Sequence, residues 1–213
     1  MEIIEPSYEI LTKINDKEIL KNIEAAGRTC YKSEELITDE SANKFVKMVI
    51  ERGHHSVIEH ESISVRFICD RGVTHEIVRH RLAAYSQEST RYVNYGGDDI
   101  QFIKPTWYDE STTEQKTFWE SACHMSEQAY KNLLKQGWRP EQARSVLPNS
   151  LKTEIVMTAN VREWRHVFNL RCSKAAHPQM RELMIPLLNE LSERLPILFD
   201  DIKQNILLKM RDV

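Results

Sequence analysis

The segment RHRLAAYSQESTRY, Arg79 to Tyr92, gathers three arginines, a histidine, an amide and several hydroxyls within fourteen residues. Arg66, Arg71, Arg79, Arg81 and Arg91 follow one another closely, and no lysine occurs between Lys47 and Lys104. The choice of arginine matters, because its planar fork grips phosphate or carboxylate with two bonds where lysine offers a point charge. The whole chain carries a net charge of -3, which gives nonspecific nucleic-acid binding no support. Composition alone leaves two readings open, a solvated basic face or a local anion site. A helix C-terminus also welcomes cations through its dipole. That accounts for Arg79 to Arg81, but not for the dense polar set Ser86, Gln87, Glu88, Ser89, Arg91 and Tyr92 that follows.

Other chemistries are weaker. HEIVRH, His75 to His80, resembles a zinc motif, but its histidines are five residues apart, not four. On a helix that separates them by roughly 140° instead of about 40°, so they cannot chelate one metal from one face. HHSVIEH, His54 to His60, misses the inverted spacing, and no metal site is expected. No G-x-G-x-x-G and no P-loop occurs, so a bound dinucleotide is held some other way. Ser89 lacks an obvious partner base, so it reads as a contact rather than a nucleophile. Cys30, Cys69, Cys123 and Cys172 are widely spaced, with no CxxC. Reduced thiols in a cytoplasmic protein are the expectation, with no secretory signal in MEIIEPSYEIL and no membrane span.

The elements that must hold these residues follow from periodicity. Residues 1–11 read as a strand, and 17–31 and 40–52 as amphipathic helices, the second stopping at Gly53. ESISVRFIC, residues 61–69, alternates with Ile63, Val65 and Phe67 on one side, which predicts a half-buried strand. Residues 73–84 read as a helix. It would put Glu76 one turn from His80 and let Arg79, His80 and Arg81 fan outward at its end. Residues 85–95 read as extended, with a surface loop at Gly96, Gly97 and the following aspartates. Helices are expected at 111–136, from Pro140 to about Leu147, at 161–172 and at 179–195, and a strand at 151–159. At 41% apolar and 29% charged residues, with no repeat or linker, 1–213 reads as one α/β (α+β) domain. A central mixed or antiparallel sheet would be flanked by helices. On the helix from Val161 to Cys172, Arg162, His166 and Asn169 share a face within roughly 60°. Trp164 and Phe168 mark the apolar side, and Arg171 falls there too.

RHRLAAYSQESTRY resembles the signature of flavin-dependent thymidylate synthases: Arg-His-Arg, seven intervening residues, a serine, then an arginine and a tyrosine. GHHSVIEH resembles the family's upstream motif, with His54 and Ser56. ARSVLP supplies Arg144, and NVREWRHVFNLR supplies Asn160, Arg162, His166, Asn169 and Arg171. The resemblance spans roughly residues 25 to 185. It implies methylation of deoxyuridylate (dUMP) to thymidylate (dTMP). Methylenetetrahydrofolate would be the carbon donor, reduced FAD the hydride donor and NADPH the reductant of the flavin. It also implies a homotetramer with sites built from several chains. Glu76, Arg79, Gln87, Ser89, Arg91, Arg144 and Arg171 would contact dUMP. Ser56, Arg79, His80, Arg81, Gln87, Asn160, Arg162 and His166 would contact FAD. Arg171, Ser89 and His54 would lie nearest the reaction, with Arg171 beside the uracil. Two further readings compete, a catalytically idle nucleotide- or RNA-binding relative and a metal hydrolase using the scattered histidines.

Overall fold

The computed structural model describes residues 1–97 and 99–211; Asp98, part of the expected surface loop, lies outside them, as do 212 and 213. Where a single strand was expected at 1–11, two form, β1 (Glu2–Ile4) and β2 (Ser7–Ile10). Pro6 lies between them and cannot donate to a ladder. Helix α1 (Asp16–Tyr31) starts at Asn15, whose side chain accepts from Glu18 N. Acidic Asp16 and Glu18 suit the positive end of the helix. Helix α2 (Ser41–Glu51) buries Phe45, Val46 and Val49. The chain then turns at Gly53, whose φ of +71° is a left-handed conformation that glycine adopts without strain.

Strand β3 (Ser62–Asp70) buries Ile63, Val65, Phe67 and Cys69 on one face, as its alternation predicted. Asp70 accepts from Val73 N at 2.6 Å and caps α3 (Arg71–Ile77). The helix expected to reach residue 84 stops at Ile77, and the chain re-enters the sheet as β4 (Ala83–Gln87). β5 (Gln101–Ile103) pairs with β1 in parallel. Helix α4 (Thr113–Lys135) opens on a Thr112/Gln115 capping box and gives way to Gly137 at φ +91°. Next come α5 (Pro140–Ala143), β6 (Lys152–Asn160), α6 (Val161–Arg171), α7 (Pro178–Arg194) and α8 (Pro196–Arg211). Among the described residues no helix is long and apolar enough to cross a membrane.

The larger sheet has the order β2-β3-β6-β4. β3 and β6 run antiparallel: Val161 N donates to Glu61 O, Ser64 Oγ meets Thr158 Oγ1, and Arg71 N donates to Asn149 O. Central sheet and flanking helices agree with the expected fold class.

The chain forms two compact units. The first comprises 1–9, 66–79 and 85–156. Its apolar cluster is Ile100, Phe102, Cys123, Tyr130, Ala143 and Leu151. The second comprises 10–65, 80–84 and 157–213. Trp164, Phe168 and Phe199 are fully buried there, with Trp164 stacked on Phe168 at 5.6 Å between ring centres.

Candidate active site

In the first unit, the turn leaving β4 gathers side chains of the types that can bind an anion. Ser89 Oγ accepts from Arg91 N at 3.3 Å, and Ser89 O accepts from Tyr92 N and Val93 N. This hydroxyl turn fixes the backbone through Arg91. Thr90 between them is buried at 4% exposure, and its Oγ1 accepts from Arg144 Nη1 at 3.1 Å. Ser89, Arg91 and Arg144, expected as one set, are thus brought together. Gln87 Nε2 donates to Thr74 Oγ1 at 3.1 Å and reaches Thr153 Oγ1 at 3.4 Å, which ties β4 to α3 and β6. That leaves the amide oxygen, which has no partner among the described residues, able to accept from a ligand. Glu88 is committed elsewhere, to Lys152 at 3.3 Å and the Tyr95 hydroxyl at 2.6 Å.

The arginines divide by partner. Arg28, Arg66, Arg139, Arg162, Arg165 and Arg194 each meet a carboxylate. Arg79, Arg81, Arg91 and Arg144 have no carboxylate partner among the described residues, and Arg79, Arg81 and Arg91 are exposed. Unpaired arginines concentrated in one sequence segment are what an anion site requires. Arg71 in α3 adds a donor that no motif had marked, since its Nη1 is buried without a hydrogen-bond partner.

In the second unit, α6 carries the remaining candidates. Asn160 Oδ1 caps it by accepting from Glu163 N at 2.8 Å. Arg162, His166 and Asn169 are exposed while Trp164 and Phe168 are buried, as the helical spacing predicted. Glu59, Leu82, Asn160, Arg162, Glu163 and His166 line a cleft of about 450 Å³. Arg162 pairs with Glu59 at 2.5 Å on its wall. His80 does not fan outward with its neighbours. It is 5% exposed, its Nε2 accepts from Arg171 Nε at 3.0 Å, and its Nδ1 lies 3.5 Å from Glu163 Oε1. The helix that would have set Glu76 against His80 ends at Ile77, before the required turn. Burial, then the charge of Arg171, then His166 push the His80 imidazole down to about 4. It is therefore neutral at pH 7. Since Nε2 accepts, Nδ1 holds the proton and turns it toward Glu163.

His80, Glu163 and His166 bring one potential ligand atom each to within 4.8 Å of one another. Spacing within single motifs did not anticipate this cluster, which joins residues far apart in sequence. A neutral imidazole has one lone pair, however, and Arg171 takes it. A cation at Nδ1 would require Arg171 to leave Nε2. His54 and Ser56 are exposed around the turn His55–His60, and His54 Nδ1 pairs with the Tyr31 hydroxyl at 3.0 Å. Sequence reasoning assigned no role to Glu163, Thr90 or Tyr31, and none to Glu59 beyond its place in the GHHSVIEH segment. Each acts through a long-range partner, and no local pattern marks it.

Covalent thiol chemistry finds no support at the buried cysteines. Burial raises the Cys69 and Cys123 thiols and pushes Cys172 up to about 12. Ser89 has no base within hydrogen-bonding reach among the described residues, so nothing there activates it as a nucleophile. The donor set suits a flavin dinucleotide. The cleft offers the Asn160 amide nitrogen, unpartnered among the described residues, the His166 ring, and Leu82 at 74% exposure on its rim. Exposed Arg81, in the same unit, adds a cation for a diphosphate.

A family profile described as "Thymidylate synthase complementing protein" matches residues 11–197. The flavin-dependent thymidylate synthase of Geobacter sulfurreducens is 35% identical over 183 residues, covering 83% of this chain and 78% of that one. Its counterpart in Mycobacterium sp. (strain JLS) is 36% identical, covering 84% and 78%. That of Pyrococcus furiosus is 31% identical, covering 83% and 71%. The solved structure of a UMP/dUMP methylase, PolB from Streptomyces cacaoi bound with 5-Br dUMP, superposes with a TM-score of 0.76 at 20% identity, covering 96% of this chain and 97% of that one. At that identity the likeness speaks for the fold. With the profile and the curated relatives spanning most of its length, the chain belongs to the flavin-dependent thymidylate synthase family.

Proposed function

We propose that this enzyme methylates dUMP to dTMP, with methylenetetrahydrofolate as carbon donor, FAD as its flavin and NADPH as reductant. The observation that carries the reading is the contrast among arginines. Among the described residues, those of the signature segment and Arg144 lack carboxylate partners, and every ligand of this reaction is an anion. In the first unit, Arg91, Arg144 and Arg79 would hold the nucleotide phosphate, with Ser89 donating its hydroxyl proton. The Gln87 amide oxygen suits the N3–H of a uracil ring. Glu76 would orient Arg79 or the nucleotide.

In the second unit, Asn160, Arg162, His166, Arg81 and Ser56 would hold FAD, and His54 would face the flavin and the folate. The bound flavin would supply the hydride. Arg171 would lie against the uracil and stabilise negative charge developing on the ring. His80, with both ring nitrogens engaged, serves from behind Arg171. We further propose a homotetramer whose sites draw on several chains, working in the cytoplasm, where its four free cysteines stay reduced.

The test combines spectrum and turnover. The purified protein should take up flavin, show a flavin spectrum that responds to dUMP, and oxidise NADPH in step with thymidylate formation. Protein that takes up no added flavin would sink the reading, and flavin binding without turnover would favour the idle nucleotide-binding relative. Arg171→Ala should lose turnover by about 100-fold or more, the scale of removing a group that stabilises developing charge, with flavin still bound.

A further inference from the structure

Glu163 is a carboxylate buried to 6% exposure in the first turn of α6. Taking a carboxylate out of water is costly unless a partner repays it. The partner in place is the Nδ1 edge of His80, at 3.5 Å. His80 is itself buried and hands its only lone pair to Arg171 Nε at 3.0 Å. Along this line each group dictates the next. A carboxylate beside Nδ1 favours the tautomer with the proton there, that tautomer makes Nε2 an acceptor, and an acceptor at Nε2 fixes the Nε–H edge of Arg171. The opposite tautomer would set two N–H donors face to face and release the guanidinium.

We infer that Glu163 is a positioning residue that acts through His80, selecting the imidazole tautomer that orients Arg171. The inference rests on the reading above only in so far as Arg171 serves the pyrimidine; the Glu163–His80–Arg171 geometry does not depend on it. Three supports stand together. Asn160 holds the first turn of α6 through Glu163 N, so the carboxylate is delivered from a capped helix end. The His166 ring meets His80 edge-on at 5.8 Å and restrains its plane. The depressed basicity of His80 agrees with a ring kept neutral for accepting.

The test reads the tautomer directly, by nitrogen-15 NMR of histidine-labelled protein with flavin bound, near neutral pH. His80 should show a protonated Nδ1 and an unprotonated Nε2 in the parent protein. A protonated Nε2 there overturns the inference without any variant. Glu163→Gln keeps an oxygen acceptor for the Nδ1 proton. It should preserve the tautomer and hold kcat to within about threefold. Glu163→Ala removes the acceptor. It should move the proton toward Nε2 and lower kcat for dUMP about tenfold or more, as when a stabilising donor is misplaced, while flavin remains bound. Parent-like tautomer and kcat in Glu163→Ala overturn the inference and leave the proposed activity standing. A parent protein that makes no thymidylate sinks the activity, while the tautomer measurement still decides the role of Glu163.

Discussion

Thr90 shows how one buried hydroxyl can set a binding arginine. It is 4% exposed and gives Arg144 Nη1 its one hydrogen bond to the protein among the described residues. A hydrogen bond to a charged group contributes about 1.5–3 kcal/mol, enough to choose a single orientation for a long, flexible side chain. Thr90→Val keeps the shape and removes the acceptor. We expect KM for dUMP to rise about 10-fold, corresponding to ~1.4 kcal/mol. The flavin spectrum and kcat should change little, because the proposed contribution of Arg144 is to ground-state binding. Unchanged KM in steady-state kinetics would show that Arg144 needs no anchor. The sequence marked Ser89, Arg91 and Arg144 as candidates because their chemistry is in their type. Thr90 and Glu163 were not so marked. A threonine and a glutamate are common surface residues, and only burial against Arg144 or His80 gives them a task.

At the scale of elements, periodicity located most helices and both long strands, since β3 and β6 alternate and α1, α2 and α6 carry apolar stripes. The over-long helix at 73–84 has a clear cause. Leu82, Ala83 and Ala84 favour helix locally, but the sheet wins. Glu88 N donates to Glu154 O at 2.8 Å just past β4, and the Tyr85 hydroxyl bonds Ile77 O at 2.8 Å. α8 went unnoticed because Pro196 reads as a stop, while at a first helical position proline is favoured. Gly27 offers an element-scale test. A Cβ there would lie 2.5 Å from Phe45 Cε1 and 2.9 Å from Val57 Cγ1, so α1, α2 and the turn bearing His54 and Ser56 close on a glycine. Gly27→Ala gains up to ~1 kcal/mol of helix propensity. Overpacking against a buried ring costs about 1–3 kcal/mol, so strain should win. Calorimetry should show a Tm lower by about 2–8 °C, with weakened flavin binding as the His54 turn shifts. A raised Tm would mean that Phe45 yields freely.

At the scale of the whole molecule, the chain passes between its two units after Glu9, Val65, Arg79, Ala84 and Val156, and β3 and β6 each give residues to both. We propose that residues 1–213 unfold as one domain, and acid offers a way to test it, because each unit holds a buried group whose pKa is strongly lowered. In the second, burial and Arg171 lower His80 from 6.5 to about 4. The unfolded chain binds that proton more readily, so its contribution is complete above pH 6.5 and lost as pH falls toward 4. In the first, burial opposes ionisation of Glu127, but the Ile100 N–H and Lys131 outweigh it and hold the carboxyl at about 2 against an ordinary 4.5. Its contribution is complete above pH 4.5 and lost as pH falls toward 2. Each displacement corresponds to about 3 kcal/mol. A single cooperative transition should therefore lose stability in both windows, first below 6.5 and then below 4.5. Glu127→Gln should be less stable at neutral pH and should reduce the lower loss while leaving the upper one. Two transitions, one answering to each window, would show that the units unfold separately.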